Sequence, residues 1–170
     1  MTTDEIHMAR ALEIAAAGMR AGEMPIGAVV AVDGDVIAEA HTQERTQNRL
    51  LVHADLLALD AADSKLAGRR RRATLYVTLE PCIMCVGAAF TMRVGALVYA
   101  LESPSDGGCQ TLLDWDKARN AESMPGYTVP AIRSGLMRLE SALLFRQYAG
   151  TAQAGWTKTW AEELAALGGA

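Results

Sequence analysis

Three cysteines in 170 residues are too few, and odd in number, for the disulfide framework that staples small secreted proteins. Long apolar runs are missing too. No stretch approaches the roughly 20 residues that a membrane-spanning helix needs. Asp4, Glu5 and Arg10 interrupt the N-terminus, so no secretory signal is expected, and the expected compartment is the cytoplasm, with no membrane partner. Basic charge is in short supply. The formal net charge is −4 and the pI is about 5.4, whereas dedicated nucleic-acid binders are usually basic. The one basic run, Arg69-Arg70-Arg71-Arg72, falls between a helix-like and a strand-like stretch and reads as a solvated loop.

What is present is an ordinary globular composition. About half the residues, 51%, are apolar, enough for a core without disulfides or a structural metal. The length suits one domain. Residues 1–170 are expected to form it, with a variable helical part from about residue 131.

Hydrophobic spacing predicts the elements. Met8, Leu12, Ala15, Ala16 and Met19 give residues 3–20 a helical stripe, with Thr2 and Glu5 at capping-box spacing and Gly22 as the stop. Residues 27–32 and 35–40 flank Asp33-Gly34, a strong hairpin turn. Residues 41–52 are polar and mixed and read as a loop. Helices are predicted over 53–62 and 82–91, the latter opened by Pro81 and apolar almost all round, hence buried. Strands are predicted over 73–79 and 95–100. Residues 101–130 read as a long loop with a short helix near 111–118, and 135–149 and 156–167 as helices. Strands alternating with helices predict a layered α/β fold with a partly parallel sheet.

Cys82 and Cys85 stand three apart at the start of a helix, so both thiols share one face. The partial positive charge of a helix N-terminus favours the thiolate, the form that binds metal. Cys-x-x-Cys alone also fits a redox dithiol, and His53 alone fits a helix cap. Their combination, His53-x-Asp55 opening one helix and Pro81-Cys82-x-x-Cys85 the next, matches the pattern of zinc nucleobase deaminases. Two thiolates and one imidazole leave a fourth zinc position free for water, as catalytic zinc requires. Such a water is acidic enough to supply hydroxide near neutral pH.

Met24-Pro-Ile-Gly-Ala-Val29, His53-Ala-Asp55 and Thr74-Leu-Tyr-Val-Thr-Leu-Glu-Pro-Cys-Ile-Met-Cys-Val-Gly-Ala88 resemble the cytidine deaminase-like superfamily, and within it the tRNA adenosine deaminase and guanine deaminase branch. The likeness covers about residues 4–100. It implies a three-layer α-β-α fold with a central five-stranded mixed sheet, one catalytic zinc (Zn2+) and a homodimer. It also implies that His53, Cys82 and Cys85 are the metal ligands, that Asp55 shuttles protons, and that Ala28, Thr42 and Ala54 contact substrate.

The chain departs from that family in three places. Asp55 stands where the family has Glu, one methylene shorter, and a misplacement of roughly 1 Å can cost on the order of 10²-fold in rate. Thr42 stands where the tRNA deaminases often have Asn, and offers one hydroxyl in place of an amide donor and acceptor. His41 beside it is either a substrate contact or an ordinary loop histidine. Beyond Phe145 the tail carries Tyr148, Trp156 and Trp160 in place of a basic cluster, as pocket lining or as ordinary packing. Cys109 is expected to be a free thiol.

The leading expectation is a zinc-dependent hydrolase acting on the C–N bond of a free base, nucleoside or similar small aminated ring, with zinc hydroxide attacking the ring carbon and Asp55 moving the protons. The first alternative is a tRNA wobble adenosine deaminase. The second is a catalytically silent zinc-binding homologue, with its fourth metal position blocked or no room for a ring.

Overall fold

The computed structural model describes residues 1–169. Helix α1 spans Thr3–Arg20 and begins with the expected capping box, Thr2 and Glu5 satisfying each other's backbone N–H groups. Strands β1 (Gly27–Val32) and β2 (Asp35–His41) form the hairpin. Asp33 and Gly34 both take positive φ, as a type I′ turn demands, and only Gly does so without strain. A one-turn helix α2 (Glu44–Gln47) follows, then α3 (Ala54–Leu66), a 3-10 turn over Ala67–Arg72, β3 (Ala73–Leu79), α4 (Ile83–Met92), β4 (Ala96–Leu101) and α5 (Cys109–Ala118). The chain ends in β5 (Ala131–Ser134), α6 (Arg138–Thr151) and α7 (Trp156–Leu167).

The sheet has five strands in the order β2-β1-β3-β4-β5. β1 pairs antiparallel with β2 and β3, while β3–β4 and β4–β5 are parallel, so the mixed sheet is as expected. Every residue of β1 is buried, because both faces of this central strand are covered. On one face Val30, Val32, Leu75, Val77 and Leu97 pack against Ala58, Ala62 and Leu66 of α3 and Val86, Ala89 and Phe90 of α4. On the other, Val29, Ala31, Tyr76 and Val98 pack against Met8, Ala11 and Leu12 of α1. A third cluster joins α6 and α7 to Met24, Leu79 and Leu101, with Phe145 at its centre.

Three sequence expectations are corrected. Residues 41–52 are not all loop: buried Glu23 accepts the N–H groups of Arg45 (3.1 Å) and Thr46 (2.7 Å) and folds α2 around its carboxylate. The arginine run is solvated as expected, but it forms a 3-10 turn and not an irregular loop. Its side chains pair Arg69 and Arg72 with Asp33 and Arg70 with Asp63. Helix α4 is not buried all round, since Ile83 is 57% exposed. Among the described residues, no helix is long and apolar enough to cross a membrane.

Candidate metal centre and its cavity

The site lies at the end of the sheet where β3 hands over to α4, the edge at which α/β sheets bind ligands. Cys82 caps α4 and Cys85 sits one turn in, buried. His53 caps α3, which packs beside α4 on the same face. The two helix N-termini therefore bring together residues about thirty positions apart. His53 Nδ1 lies 3.7 Å from Cys82 Sγ and 3.5 Å from Cys85 Sγ, and the two sulfurs are 3.6 Å apart. A tetrahedral zinc, with Zn–S about 2.3 Å and Zn–N about 2.0–2.1 Å, places its donors about 3.6–3.8 Å apart. The donor set fits that ion in both chemistry and spacing, and all three donor atoms lie within 4.8 Å of one another.

The three groups already share protons. A hydrogen bond from the Cys85 thiol, reinforced by His53, lowers the Cys82 thiol to about 4, so Cys82 stands ready as a thiolate. The same bond to Cys82, together with burial, raises Cys85. Hydrogen bonding to Cys82 raises His53 to about 9 against the opposing effect of burial, with Glu44 and Asp55 adding attraction. A metal ion would displace these protons, since its ligands bind deprotonated.

Beside the triad opens a cavity of ≈ 460 Å³, within the ~300–1,000 Å³ typical of small-molecule sites. It leaves room for a ring, against the form of the silent-homologue alternative that expects none. Asp55 lines it and is only 4% exposed. Burial raises its carboxyl, the direction that suits a group alternating between base and acid near neutrality. Its Oδ1 accepts the N–H of Leu56 at 3.2 Å.

Of the expected substrate contacts, Ala54 and Thr42 line the cavity and Ala28 does not, lying buried within β1. The Thr42 hydroxyl has two acceptors within reach of its one proton, the Glu44 carboxylate (3.2 Å) and the carbonyl of Val52 (3.4 Å). His41 accepts no role in the lining; its Nδ1 lies 2.7 Å from the carbonyl of Thr42. Trp156 and Trp160 do line the cavity, whereas Tyr148 is buried and bonds Arg45 at 2.6 Å. Cys109 is a free buried thiol, pushed up to about 12 mainly by burial.

Two carboxylates were missed in the sequence. Glu80 accepts the N–H groups of Ser103 and Cys109, both at 3.2 Å, and Gly107 sits so close to it that a Cβ there would collide. It thereby holds the 103–109 loop that carries Ser105 and Asp106 to the cavity. Its position directly before Pro81 was the available signal. Glu44 lies 3.5 Å from His53 Nε2, on the ring edge opposite the thiols. Nothing local marked it, because Glu23 places it from 21 residues away.

Residues 1–101 match the family described as the cytidine and deoxycytidylate deaminase zinc-binding region. The tRNA-specific adenosine deaminase of Bacillus subtilis (strain 168) is 43% identical over 115 residues, 67% of this chain and 71% of its own length. That of Agrobacterium fabrum is 36% identical over 138 residues, 81% of this chain and 87% of its own. A solved tRNA:A34 deaminase, from work on A-to-I editing at the wobble position of transfer RNA, superposes with a TM-score of 0.69 at 34% identity, over 81% of this chain and 97% of that one. The guanine deaminase from Nitrosomonas europaea superposes with a TM-score of 0.68 at 25% identity, over 85% and 83%.

Proposed function

This chain belongs to the cytidine and deoxycytidylate deaminase zinc-binding family, and from that premise we propose that it hydrolyses the exocyclic amine of an adenine ring, with the wobble adenosine of tRNA as its substrate. The observation that carries the chemistry is the assembly of His53, Cys82 and Cys85 at tetrahedral donor spacing beside a cavity that also presents Asp55. The choice of adenosine in tRNA rests on the relatives, which favour it over the small-ring expectation.

Held by His53, Cys82 and Cys85, zinc supplies Lewis-acid activation of a water molecule. The chain's own groups do the rest. The Asp55 carboxylate, whose Oδ1 is held by the Leu56 N–H, takes a proton from the water and delivers it to the ring nitrogen. The carboxylate, freed of that proton, then takes the second proton of the added hydroxyl and delivers it to the departing amine, so that adenosine and water become inosine and ammonia. Ile26, Val77 and Leu79 give the ring apolar walls. Burial of Asp55 keeps competing water away from its carboxyl.

A second reading, a free aminated base or nucleoside, is favoured by one observation. No Lys or Arg lines the cavity, and the arginine run precedes β3 at the far end of the sheet, about 20 Å away at 3.3 Å per residue. The test is to incubate zinc-loaded protein with an anticodon stem-loop bearing adenosine at the wobble position, and separately with adenosine, adenine, guanine and cytidine. Ammonia and the deaminated product are measured, with Asp55→Ala as control at verified zinc content. Inosine in the stem-loop, lost in the control, supports the proposal. Turnover of small rings alone moves the protein to the second reading. No turnover of any substrate with zinc fully bound overturns both.

A further inference from the structure

The cavity has a buried end and an open one. Asp55, Ala54 and Val77 sit at the buried end, beside the metal-binding triad. Trp156, in the first turn of α7, lines the same cavity yet is 76% exposed. Its neighbour Trp160 is committed: the indole N–H donates to Ser105 Oγ at 2.8 Å, and the ring meets Phe145 edge-on at 6.2 Å between centroids. Trp156 has no ring partner and no side-chain hydrogen bond among the described residues, so its indole face is free. Helix α7 also lies outside residues 1–101, the stretch that matches the deaminase family.

We propose that Trp156 is a stacking platform for a second base, the nucleotide flanking the one being deaminated. The reacting ring must reach the triad and Asp55 at the buried end, so an exposed indole at the mouth meets a different ring. Away from the triad and Asp55, the polar residues lining the cavity are Thr42, Glu44, Glu80, Ser105 and Asp106, with no Lys or Arg. Such a rim accepts hydrogen bonds from base amino groups and sugar hydroxyls and repels phosphate. Recognition through a base face fits it, because every base has one and stacking needs no positive charge. The phosphates then stay outside the cavity, and binding depends only weakly on salt. This inference rests on the adenosine reading above and names how that substrate is held.

The test compares free adenosine with a single-stranded trinucleotide carrying adenosine in the middle, using zinc-loaded full-length protein. Two readouts are taken: inosine formation, and quenching of indole fluorescence by the trinucleotide. The native protein should prefer the trinucleotide in kcat/KM. In Trp156→Ala that preference should fall roughly 5- to 150-fold, mainly through KM, with Trp156→Phe recovering most of it. The quench should be lost in Trp156→Phe and kept in Trp115→Phe, whose indole sits on α5 outside this cavity. Equal use of both substrates, or a preference unchanged in Trp156→Ala, overturns the subsite and leaves the deaminase reading standing. A Trp156-dependent quench without inosine from any substrate leaves the subsite standing and overturns that reading. Neither quench nor turnover overturns both.

Discussion

The stretch up to residue 101 and the α6–α7 pair meet at one cavity and contribute unlike things to it. The first supplies His53, Asp55, Glu80, Cys82 and Cys85 from two helix N-termini and the turn before one of them. The second supplies two indoles and no titratable group. The titratable groups thus come from short motifs whose geometry is local, together with the apolar walls Ile26, Val77 and Leu79, while the helical pair, packed on the sheet end through Met24, Leu79 and Leu101, adds two indoles to the lining.

The largest expected effect isolates the first region. Asp55→Asn keeps the size of the side chain and removes the carboxylate proposed to carry the proton. Turnover should fall on the order of 10²- to 10⁴-fold. Zinc content by metal analysis and the melting temperature should hold. Loss of zinc along with activity would mean that Asp55 acts through the ligands, and the separation of roles would fail at its centre.

The next isolates the second region. Phe145 is fully buried among Tyr148, Leu164 and Trp160. Phe145→Ala should destabilise the protein by about 3–5 kcal/mol, read from denaturant midpoints. Zinc affinity should stay within a few-fold at temperatures where the variant is folded. A large fall in zinc affinity would show that the helical pair also holds the metal cradle, and would blur the division.

Glu44 straddles the two regions. Glu23 fixes the helix that carries it, and that helix is tied to α6 through Arg45 and Tyr148. The Glu44 carboxylate faces His53 Nε2 while Nδ1 faces the thiols. A carboxylate in that place fixes which ring nitrogen carries the proton and turns the other toward the metal. Glu44→Gln should weaken zinc binding about 10- to 100-fold in a chelator competition. An unchanged affinity would assign Glu44 to the rim of the cavity instead.

Much of this was legible in the sequence, and the reasons are physical. Thr2 with Glu5, and Asp33 with Gly34, report on bonds three residues apart or less, so the start of α1 and the β1–β2 turn were readable. His53-x-Asp55 and Cys82-x-x-Cys85 were readable because helix geometry fixes their spacing. Strand β5 had no such mark: Ala131–Ser134 is short, mostly exposed and half polar, and the fifth strand came only from family resemblance. Helix α2 was hidden because its staple, Glu23, is remote in sequence. The tail left two readings for its aromatics, and both occur, Tyr148 packing inside and Trp156 and Trp160 lining the cavity. The small-ring expectation leaned on overall charge, Thr42 and the tail, and similarity to tRNA-specific adenosine deaminases now favours the alternative.

The smallest expected effect belongs to neither region and serves as their reference. Asp4 accepts the hydroxyl of Tyr76 at 2.5 Å and pairs with Arg133, tying α1 to β3 and β5 away from the cavity. The Tyr76 bond, followed by Arg133, holds its carboxyl below the usual range. A carboxyl depressed in the folded state stabilises above its unfolded pKa, about 3.9, and loses that contribution as pH falls through the lower folded value. Asp4→Asn should therefore cost about 1 kcal/mol at pH 7. The gap to the native protein should narrow as the pH drops below about 4, because the native carboxyl is then being neutralised too. Zinc content and deamination should be untouched at every pH where both proteins are folded. A gap that stays constant down to acid pH would mean that the amide's altered packing, and not the lost charge, causes the destabilisation.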